Sequence, residues 1–330
     1  MANVLATVLA QPTAVGTLQR ALASGRVHHA YLFDGPAGVG KELAAFGLAQ
    51  GLVCEAPREG AACGVCSACK RAVPREGDRR PVHPDVVVIE RGLYDPAQIG
   101  RRTPETQDIS IDQIRTLVLA RAAFSAHEGR AKVFIVRRAE ELSISAANAL
   151  LKTLEEPGSG THFVLLSAQA DALLPTIRSR TQRVRFAPLP DVVVTQLLVD
   201  RGTDATRAAE IAHLAAGSME AALGLADPEA SARRDAFVER ALDAIDASDL
   251  GAALDVAEEA KKASRGDLAT HIHALATALA VQARATPGKD RHVDAAPARY
   301  RLALAAVEQL DANASAQLVI ESMLSRMRTA

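Results

Sequence analysis

The glycine-rich stretch Gly35–Glu42 (GPAGVGKE) constrains this chain more than any other feature of its sequence. It follows a short apolar run, Tyr31–Asp34, and precedes a segment with apolar residues at helical spacing. A glycine loop in that place matches the pattern G-x-x-x-x-G-K-[ST], whose backbone N–H groups and lysine bind phosphate oxygens. The residues expected to contact a phosphate here are Gly35, Gly38, Gly40 and Lys41.

The last position of this pattern does not carry the hydroxyl group that the pattern requires. A Ser or Thr hydroxyl there binds Mg²⁺ in phosphate loops, whereas this chain has the carboxylate of Glu42. Like charges about 4 Å apart repel by roughly 4 kcal/mol at an effective dielectric near 20, so Glu42 opposes a bound polyphosphate. Weak phosphate binding by Lys41 and a plain helix start with an exposed lysine explain the motif equally well. Nucleotide binding is left open at this point.

Length and composition exclude several classes of protein. A chain of 330 residues is longer than one ordinary core requires, so two or three domains are expected. The formal net charge of −1 does not indicate a strongly basic nucleic-acid binder. No apolar run reaches the ~18–20 residues of a membrane span, and residues 1–10 lack the basic segment of a secretory signal. These features predict a soluble, cytoplasmic protein with no membrane partner.

The four cysteines lie close together, with the spacing C-x8-C-x2-C-x2-C. Four thiolates so arranged suit one tetrahedral, structural Zn²⁺. An iron–sulfur cluster competes, but the ferredoxin run continues with a further Cys and Pro, where this chain has Lys70 and Arg71. A redox pair is disfavoured because neither C-x-x-C stands alone at a strand–helix junction, and reduced thiols without a metal are the remaining alternative. The predicted zinc ligands are Cys54, Cys63, Cys66 and Cys69.

Strand-like and helical segments alternate over the first part of the chain. Such alternation predicts an α/β fold with a parallel sheet covered on both faces. After Pro190 helical periodicity dominates, and the polar segment 91–108 is expected to be a surface loop. The predicted strands are 31–34, 85–90, 132–136, 163–167 and, at a sheet edge, 181–186; the predicted helices are 41–53, 111–123 and 145–154.

Several of these segments together resemble the subunits of the bacterial DNA polymerase III clamp loader, which belong to the AAA+ class. The long run Ala147–Pro157 (ANALLKTLEEP) is the most specific of the matching motifs. The resemblance covers about residues 1–225 with specific motifs, and the remainder by length and helical character alone. The other matching segments are Val27–Phe33 (VHHAYLF), the glycine loop, the four-cysteine module and Ile177–Thr181 (IRSRT).

The resemblance implies three domains. Residues 1–187 would form an AAA+ nucleotide-binding-type domain around a parallel sheet, with the four-cysteine zinc module inserted at 54–69. Residues 188–227 would form a small helical lid domain. Residues 228–330 would form an all-α collar domain through which subunits oligomerise.

Two kinds of clamp-loader subunit carry such a zinc module: the ATP-hydrolysing gamma/tau subunit and the delta-prime subunit, a rigid stator. In the gamma/tau kind, Asp and Glu after the third strand bind Mg²⁺ and activate water, and an arginine sensor lies near the lid. This chain has Glu42 in the loop, Arg137 in place of the Asp, and Glu220 in place of the sensor arginine. Glu140 lies three residues beyond the expected carboxylate, about 10 Å along an extended strand. The resemblance therefore implies the delta-prime type, which is not an enzyme by itself and does not hydrolyse ATP.

One functional residue matches the family pattern. Ser179-Arg180-Thr181 resembles the Ser-Arg-Cys motif, whose arginine reaches into the ATP site of the neighbouring subunit. The resemblance thus implies that Arg180 is an arginine finger acting in trans on a gamma/tau subunit. A solvated basic edge strand is the alternative interpretation of the arginines around it.

The function implied is that of a non-catalytic stator that helps place the sliding clamp on primed DNA. Its partners would be the gamma/tau and delta subunits, with the clamp and primed DNA reached through the complex. One alternative is an active gamma/tau-type motor subunit with a deviant site. Another is a free-standing zinc module that binds nucleic acid, which would explain nothing after residue 70.

Overall fold

The computed structural model describes residues 3–101, 108–128, 130–247, 249–261, 263, 265–285, 291–311 and 314–329. The chain divides into two compact units, Met1–Leu223 and Gly224–Ala330. The division into three domains at 187/188 and 227/228 is finer than this one and stays a prediction.

In the first unit, five strands of the described residues form one sheet in the order β2-β3-β4-β1-β5. Every neighbouring pair of strands is parallel, which confirms the predicted parallel sheet. The last strand lies at the edge, as the alternation of polar and apolar residues in 181–186 predicted. The strands are β1 (Ala30–Asp34), β2 (Val86–Ile89), β3 (Lys132–Val136), β4 (Thr161–Ser167) and β5 (Gln182–Arg185).

The inner strands are apolar along nearly their whole length because both faces of the sheet are covered. All five residues of β3 are buried, including Lys132. Its ammonium donates to the carbonyl oxygens of Arg121 and, at 2.9 Å, of Phe124. The buried ammonium group therefore caps the carbonyl oxygens at the C-terminal end of a helix and is not left without hydrogen-bond partners.

The helices of the first unit begin close to the predicted positions. The single helix predicted over 111–123 is interrupted by a π-helical segment, Arg115–Leu119. The helices are α1 (Pro12–Ser24), α2 (Lys41–Val53), α3 (Ser67–Arg71), α4 (Ile111–Ile114), α5 (Ala120–Ala122), α6 (Ile144–Glu155), α7 (Pro175–Arg178), α8 (Asp191–Val199), α9 (Ala205–Leu214) and α10 (Met219–Ala226), whose last residues belong to the second unit. Short 3₁₀ turns span Val4–Thr7, Pro96–Ile99, Ala139–Glu141 and Ala170–Ala172.

The segment predicted to be a plain surface loop, 91–108, is anchored to the sheet instead. Ile99 is buried in the core of the first unit. The Tyr94 hydroxyl donates to the carbonyl oxygen of Val88 at 2.8 Å. Two apolar side chains in an otherwise polar stretch are therefore enough to pin it, while residues 102–107 lie outside the described residues.

In the described part of the second unit every regular element is a helix, as the sequence periodicity predicted. A core of Ala, Leu, Ile and Met side chains holds these helices together. No helix in the described part of the chain is both long and apolar enough to cross a bilayer. The helices are α11 (Pro228–Asp246), α12 (Gly251–Ala260), α13 (Arg265–Ala285), α14 (Arg291–Asp311) and α15 (Ala316–Thr329).

The N-terminal 3₁₀ turn crosses α2 at Gly47, and this contact can be tested. A Cβ atom at Gly47 would lie 2.6 Å from the backbone nitrogen of Leu5, well inside contact distance. We expect Gly47→Ala to lower the free energy of unfolding by about 1–3 kcal/mol through overpacking, despite the higher helix propensity of alanine. Urea denaturation followed by circular dichroism measures the change.

Gly16 in α1 provides the matched control. A Cβ atom there meets only the end of the Arg20 side chain, at 3.4 Å. Gly16→Ala should therefore raise the free energy of unfolding by up to about 1 kcal/mol. Equal stability of the two variants would contradict the close docking of the N-terminal turn on α2.

Candidate functional site

The predicted phosphate loop connects β1 to α2 at the carboxyl edge of the sheet. Gly35, Gly38 and Gly40 all have positive φ angles, 153°, 74° and 95°, which residues other than glycine rarely adopt. Lys41 is the first residue of α2. The structure thus brings the four predicted loop residues together in one turn at the start of a helix, the geometry in which anions are bound.

The ammonium group of Lys41 already has partners within this loop. Its Nζ donates to the carbonyl oxygen of Gly35 and, at 2.5 Å, to that of Pro36. The residue is buried, and burial lowers the pKa of Lys41, whereas the nearby carboxylates of Glu140, Asp34 and Glu220 act in the opposite direction. The predicted phosphate ligand is therefore folded back on its own loop.

Arg137, at the end of β3, bridges two carboxylates that leave the same edge of the sheet. Its guanidinium forms an ion pair with Glu42, and its Nη1 donates to Glu90 Oε2 at 2.7 Å. The side chains of Arg137 and Glu90 are only 12% and 17% exposed. In the sequence, Glu42 and Arg137 are two separate departures from the ATPase pattern. In the structure, their side chains form one ion pair.

The third departure, Glu220 at the start of α10, is paired in the same way. Its carboxylate accepts a hydrogen bond from Arg138 Nη2 at 3.0 Å. Ser218 Oγ donates to the carbonyl oxygen of Ala37 at 2.8 Å. A Cβ atom on Gly38 would lie 2.3 Å from the backbone nitrogen of Glu220. The start of α10 is therefore packed directly against the phosphate loop.

Glu140 lies nearer to the loop than an extended β3 would place it. Arg138 has a φ of +47°, and the chain then turns through Ala139–Glu141. Glu140 Oε1 accepts a hydrogen bond from the backbone N–H of Ala168 at 3.3 Å, and its charge acts on Lys41. The prediction of an extended strand was wrong here, and one carboxylate does lie beside the loop.

Residues before α1 also cover the loop, a contact that no sequence pattern predicted. The buried side chain of Gln11 accepts a hydrogen bond from Ala187 N at 2.9 Å and donates to Ala187 O at 2.7 Å. A Cβ atom on Gly40 would lie 3.2 Å from Val8 Cγ1. The loop is thus enclosed by the chain that precedes α1 as well as by α10.

Arg180 lies between α7 and the edge strand β5. Its guanidinium forms an ion pair with Glu155 and donates to the carbonyl oxygen of Thr176 at 2.9 Å. The side chain is 34% exposed. In the isolated chain Arg180 is therefore folded back on the end of α6, and it would have to exchange Glu155 for another partner to act on a neighbour.

The four cysteines are brought together, as their spacing predicted. Their Sγ atoms all lie within 4.8 Å of one another, and those of Cys63 and Cys69 are 3.9 Å apart. A disulfide requires about 2.05 Å, whereas thiolates about 2.3 Å from a tetrahedral Zn²⁺ are separated by about 3.8 Å. The cluster therefore fits one metal ion with four thiolate ligands.

Backbone N–H groups are directed at the sulfur atoms. Cys63 N donates to Cys54 Sγ at 3.3 Å, and Cys66 N donates to Cys63 Sγ at 3.4 Å. Hydrogen bonds from the backbone of Val65 and Cys66 lower the pKa of Cys63 to about 6. Burial raises the pKa of Cys54 and Cys69. Metal ions bind the thiolate form of cysteine, so a cation at the cluster would favour ionisation of the buried Cys54 and Cys69.

Removal of a single ligand tests the metal centre. We expect the full chain to carry one zinc ion per molecule and Cys69→Ala to carry none, because closed structural sites use all four ligands. Native mass spectrometry counts the bound ion. Ser67→Ala changes an exposed residue of the same helix and should keep the zinc; equal metal content in both variants would contradict a four-cysteine site.

Two adjacent arginines provide a matched test of the bridge. Arg137→Ala leaves the carboxylates of Glu42 and Glu90 without their shared cation, so the free energy of unfolding should fall by about 1–3 kcal/mol. Arg138 is 56% exposed, and Arg138→Ala should cost less than about 1 kcal/mol. Denaturant titration compares the two variants, and a larger loss for Arg138→Ala would contradict the assignment.

Comparison with known proteins shows which sequences this chain resembles. The family described as "DNA polymerase III, delta subunit" matches residues 10–190. The chain is 40% identical over 164 residues to DNA polymerase III subunit delta' of Pseudomonas aeruginosa, covering 49% of this chain and 44% of that protein. It is 32% identical over 215 residues to subunit delta' of Bacillus subtilis, covering 64% of this chain and 58% of that protein.

A second group of relatives carries a different name. The chain is 34% identical over 193 residues to DNA polymerase III subunit gamma/tau of Mycobacterium tuberculosis, covering 58% of this chain and 30% of that protein. The chain therefore spans about half the length of the delta' relatives and less of the gamma/tau relative.

Proposed function

This chain belongs to the DNA polymerase III delta-subunit family, and on that premise we propose that it is a non-catalytic, delta'-type clamp-loader subunit. It acts as a stator that helps load the sliding clamp on primed DNA in the cytoplasm. Its direct partners are gamma/tau and delta subunits. The cysteine cluster holds a structural Zn²⁺ that shapes this module and takes no part in chemistry.

The observation that carries the proposal is the bridge from Arg137 to Glu42 and Glu90. In a hydrolysing subunit this edge of the sheet supplies a hydroxyl and a carboxylate to Mg²⁺. Here a guanidinium fixed in the protein pairs with both carboxylates, and Arg79 forms a second ion pair with Glu90, so Mg²⁺ would have to displace arginine to reach them. Lys41 is likewise held by loop carbonyls. These contacts favour a subunit that leaves ATP turnover to its neighbours.

An active gamma/tau-type motor subunit is the second candidate. Glu140 lies close enough to act on Lys41, so one carboxylate is present beside the loop. The 34% identity to a gamma/tau subunit supports the same interpretation. Mg²⁺-dependent ATP hydrolysis by the isolated chain, lost on Lys41→Ala, would establish this candidate instead.

We assign to Arg180 the role of an arginine finger on a neighbouring gamma/tau site. Its position before an edge strand and its partly exposed side chain suit a group that reaches out of the subunit. A γ-phosphate would replace Glu155 as the anionic partner of the guanidinium. Such a finger contributes about 10³–10⁵ to the rate at the site that it enters.

The experiment is ATP hydrolysis by the chain mixed with a gamma/tau-type partner. Arg180→Ala should lower the rate of the assembled complex by the share of the one site that loses its finger, because the other sites still work. Arg185→Ala removes the same charge from an exposed position of β5 and should leave the rate unchanged. Equal rates for the two variants, with assembly verified by size-exclusion chromatography, would refute the role of Arg180.

A further inference from the structure

A glutamine buried in α2 joins the cysteine cluster to the beginning of the chain. The Gln50 side chain is fully buried, yet both ends of its amide have partners. Its Oε1 accepts a hydrogen bond from Val4 N at 3.0 Å, and its Nε2 donates to the carbonyl oxygen of Cys69 at 3.2 Å. Because Val4 N can only donate and Cys69 O can only accept, these partners fix the orientation of the amide.

Helix α2 lies directly against the metal-site residue Cys69. The side chain of Gln50 binds its carbonyl oxygen, and the main-chain oxygen of Gln50 lies 3.9 Å from Cys69 Sγ. Cys69 is itself fully buried. Gln50 thus fixes the main chain of a residue that carries one of the four sulfur ligands, and in this way it can orient that ligand as outer partners of metal ligands do.

The other end of the amide holds a segment that reaches the phosphate loop. We call residues 3–11 the N-terminal segment; it runs along α2 towards the start of that helix. Leu5 packs on Gly47, and Val8 lies beside Gly40 of the loop. At its far end Gln11 donates to the carbonyl oxygen of Val39 at 3.4 Å. The contact between Val4 and Gln50 is therefore the first of a series of contacts along α2 that ends at the phosphate loop.

The two hydrogen bonds of Gln50 depend on each other. A buried amide group that loses one partner is left unsatisfied, which is costly where water cannot reach it. If Cys69 moves, the amide loses the partner that orients it, and Val4 N loses a fixed acceptor. If the N-terminal segment leaves α2, the amide gains the freedom to turn away from Cys69.

We propose that Gln50 is a positioning residue that couples metal binding by the cysteine cluster to docking of the N-terminal segment on α2. A metal ion at the four thiolates holds Cys69 so that its carbonyl faces Gln50, and the fixed amide then presents Oε1 to Val4. By reciprocity of linked equilibria, a docked N-terminal segment strengthens metal binding by the same factor. The proposal concerns these two sites alone and does not depend on the role in clamp loading.

The sharpest test changes Val4, which is remote from the cysteines in sequence. Val4 is the first residue of its 3₁₀ turn, and Asn3 before it has extended angles, so proline fits there without strain. Val4→Pro removes the N–H that Gln50 accepts, whereas Val4→Ala keeps it and shortens the side chain. The zinc dissociation constant of the reduced full chain is measured by competition with a chromophoric chelator.

We expect Val4→Pro to raise the zinc dissociation constant severalfold and Val4→Ala to leave it unchanged. Gln50→Leu, which has a similar volume and no polar group, should raise it by about tenfold or more, as other changes to outer partners of metal ligands do. Equal dissociation constants for Val4→Pro and Val4→Ala would overturn the proposal, and so would a wild-type chain that binds no zinc.

Hydrogen exchange of the zinc-loaded full chain gives a second, independent readout. In Gln50→Leu the amides of residues 4–8 should exchange several times faster than in the wild type, while those of α9, away from both sites, stay unchanged. Unaltered exchange in the N-terminal segment would show that Gln50 supports Cys69 alone, and would refute the coupling. If Gln50→Leu does not fold, the pair of Val4 variants decides the question.

Discussion

The ion pairs of Arg137 hold together three segments that leave the same edge of the sheet. They join the end of β3 to Glu42 at the start of α2 and to Glu90 after β2. In a parallel sheet these carboxyl ends converge, and ligands are bound there. A guanidinium donates in two directions at once, so a single side chain pairs with both carboxylates, and Arg79 adds a second ion pair to Glu90. The charge that an ATPase would balance with Mg²⁺ is balanced here by the protein itself.

Each glutamate that replaces a residue of the hydrolysing pattern therefore forms an ion pair with a nearby arginine. Glu42 is neutralised by Arg137, and Glu220 by Arg138. The loop glycines also have a role that requires no phosphate, because a side chain on Gly38 would collide with the backbone of Glu220. The N-terminal segment closes the other side of the loop. The glycine loop is therefore also a packing element at the start of α2.

The sequence predicted those features that depend on local pattern. The alternation in 181–186 placed an edge strand correctly, and the spacing of the cysteines placed four sulfur atoms together. The ion pairs could not be predicted, since the residues of each pair are 95 and 82 positions apart in the chain. Glu140 was misplaced because the left-handed turn at Arg138 has no sequence signal in a non-glycine residue. The contacts of Gln50 could not be predicted, because one polar residue in an apolar helix forms no pattern.

The central claim, that the chain's own groups close the phosphate loop, is tested most directly by nucleotide binding to the purified full chain. Titration with a fluorescent ATP analogue, with and without Mg²⁺, measures the affinity without any partner subunit. We expect no saturable binding up to millimolar nucleotide and no effect of Mg²⁺. Micromolar binding that requires Mg²⁺ would show that Arg137 yields its carboxylates to the metal, and would contradict the account.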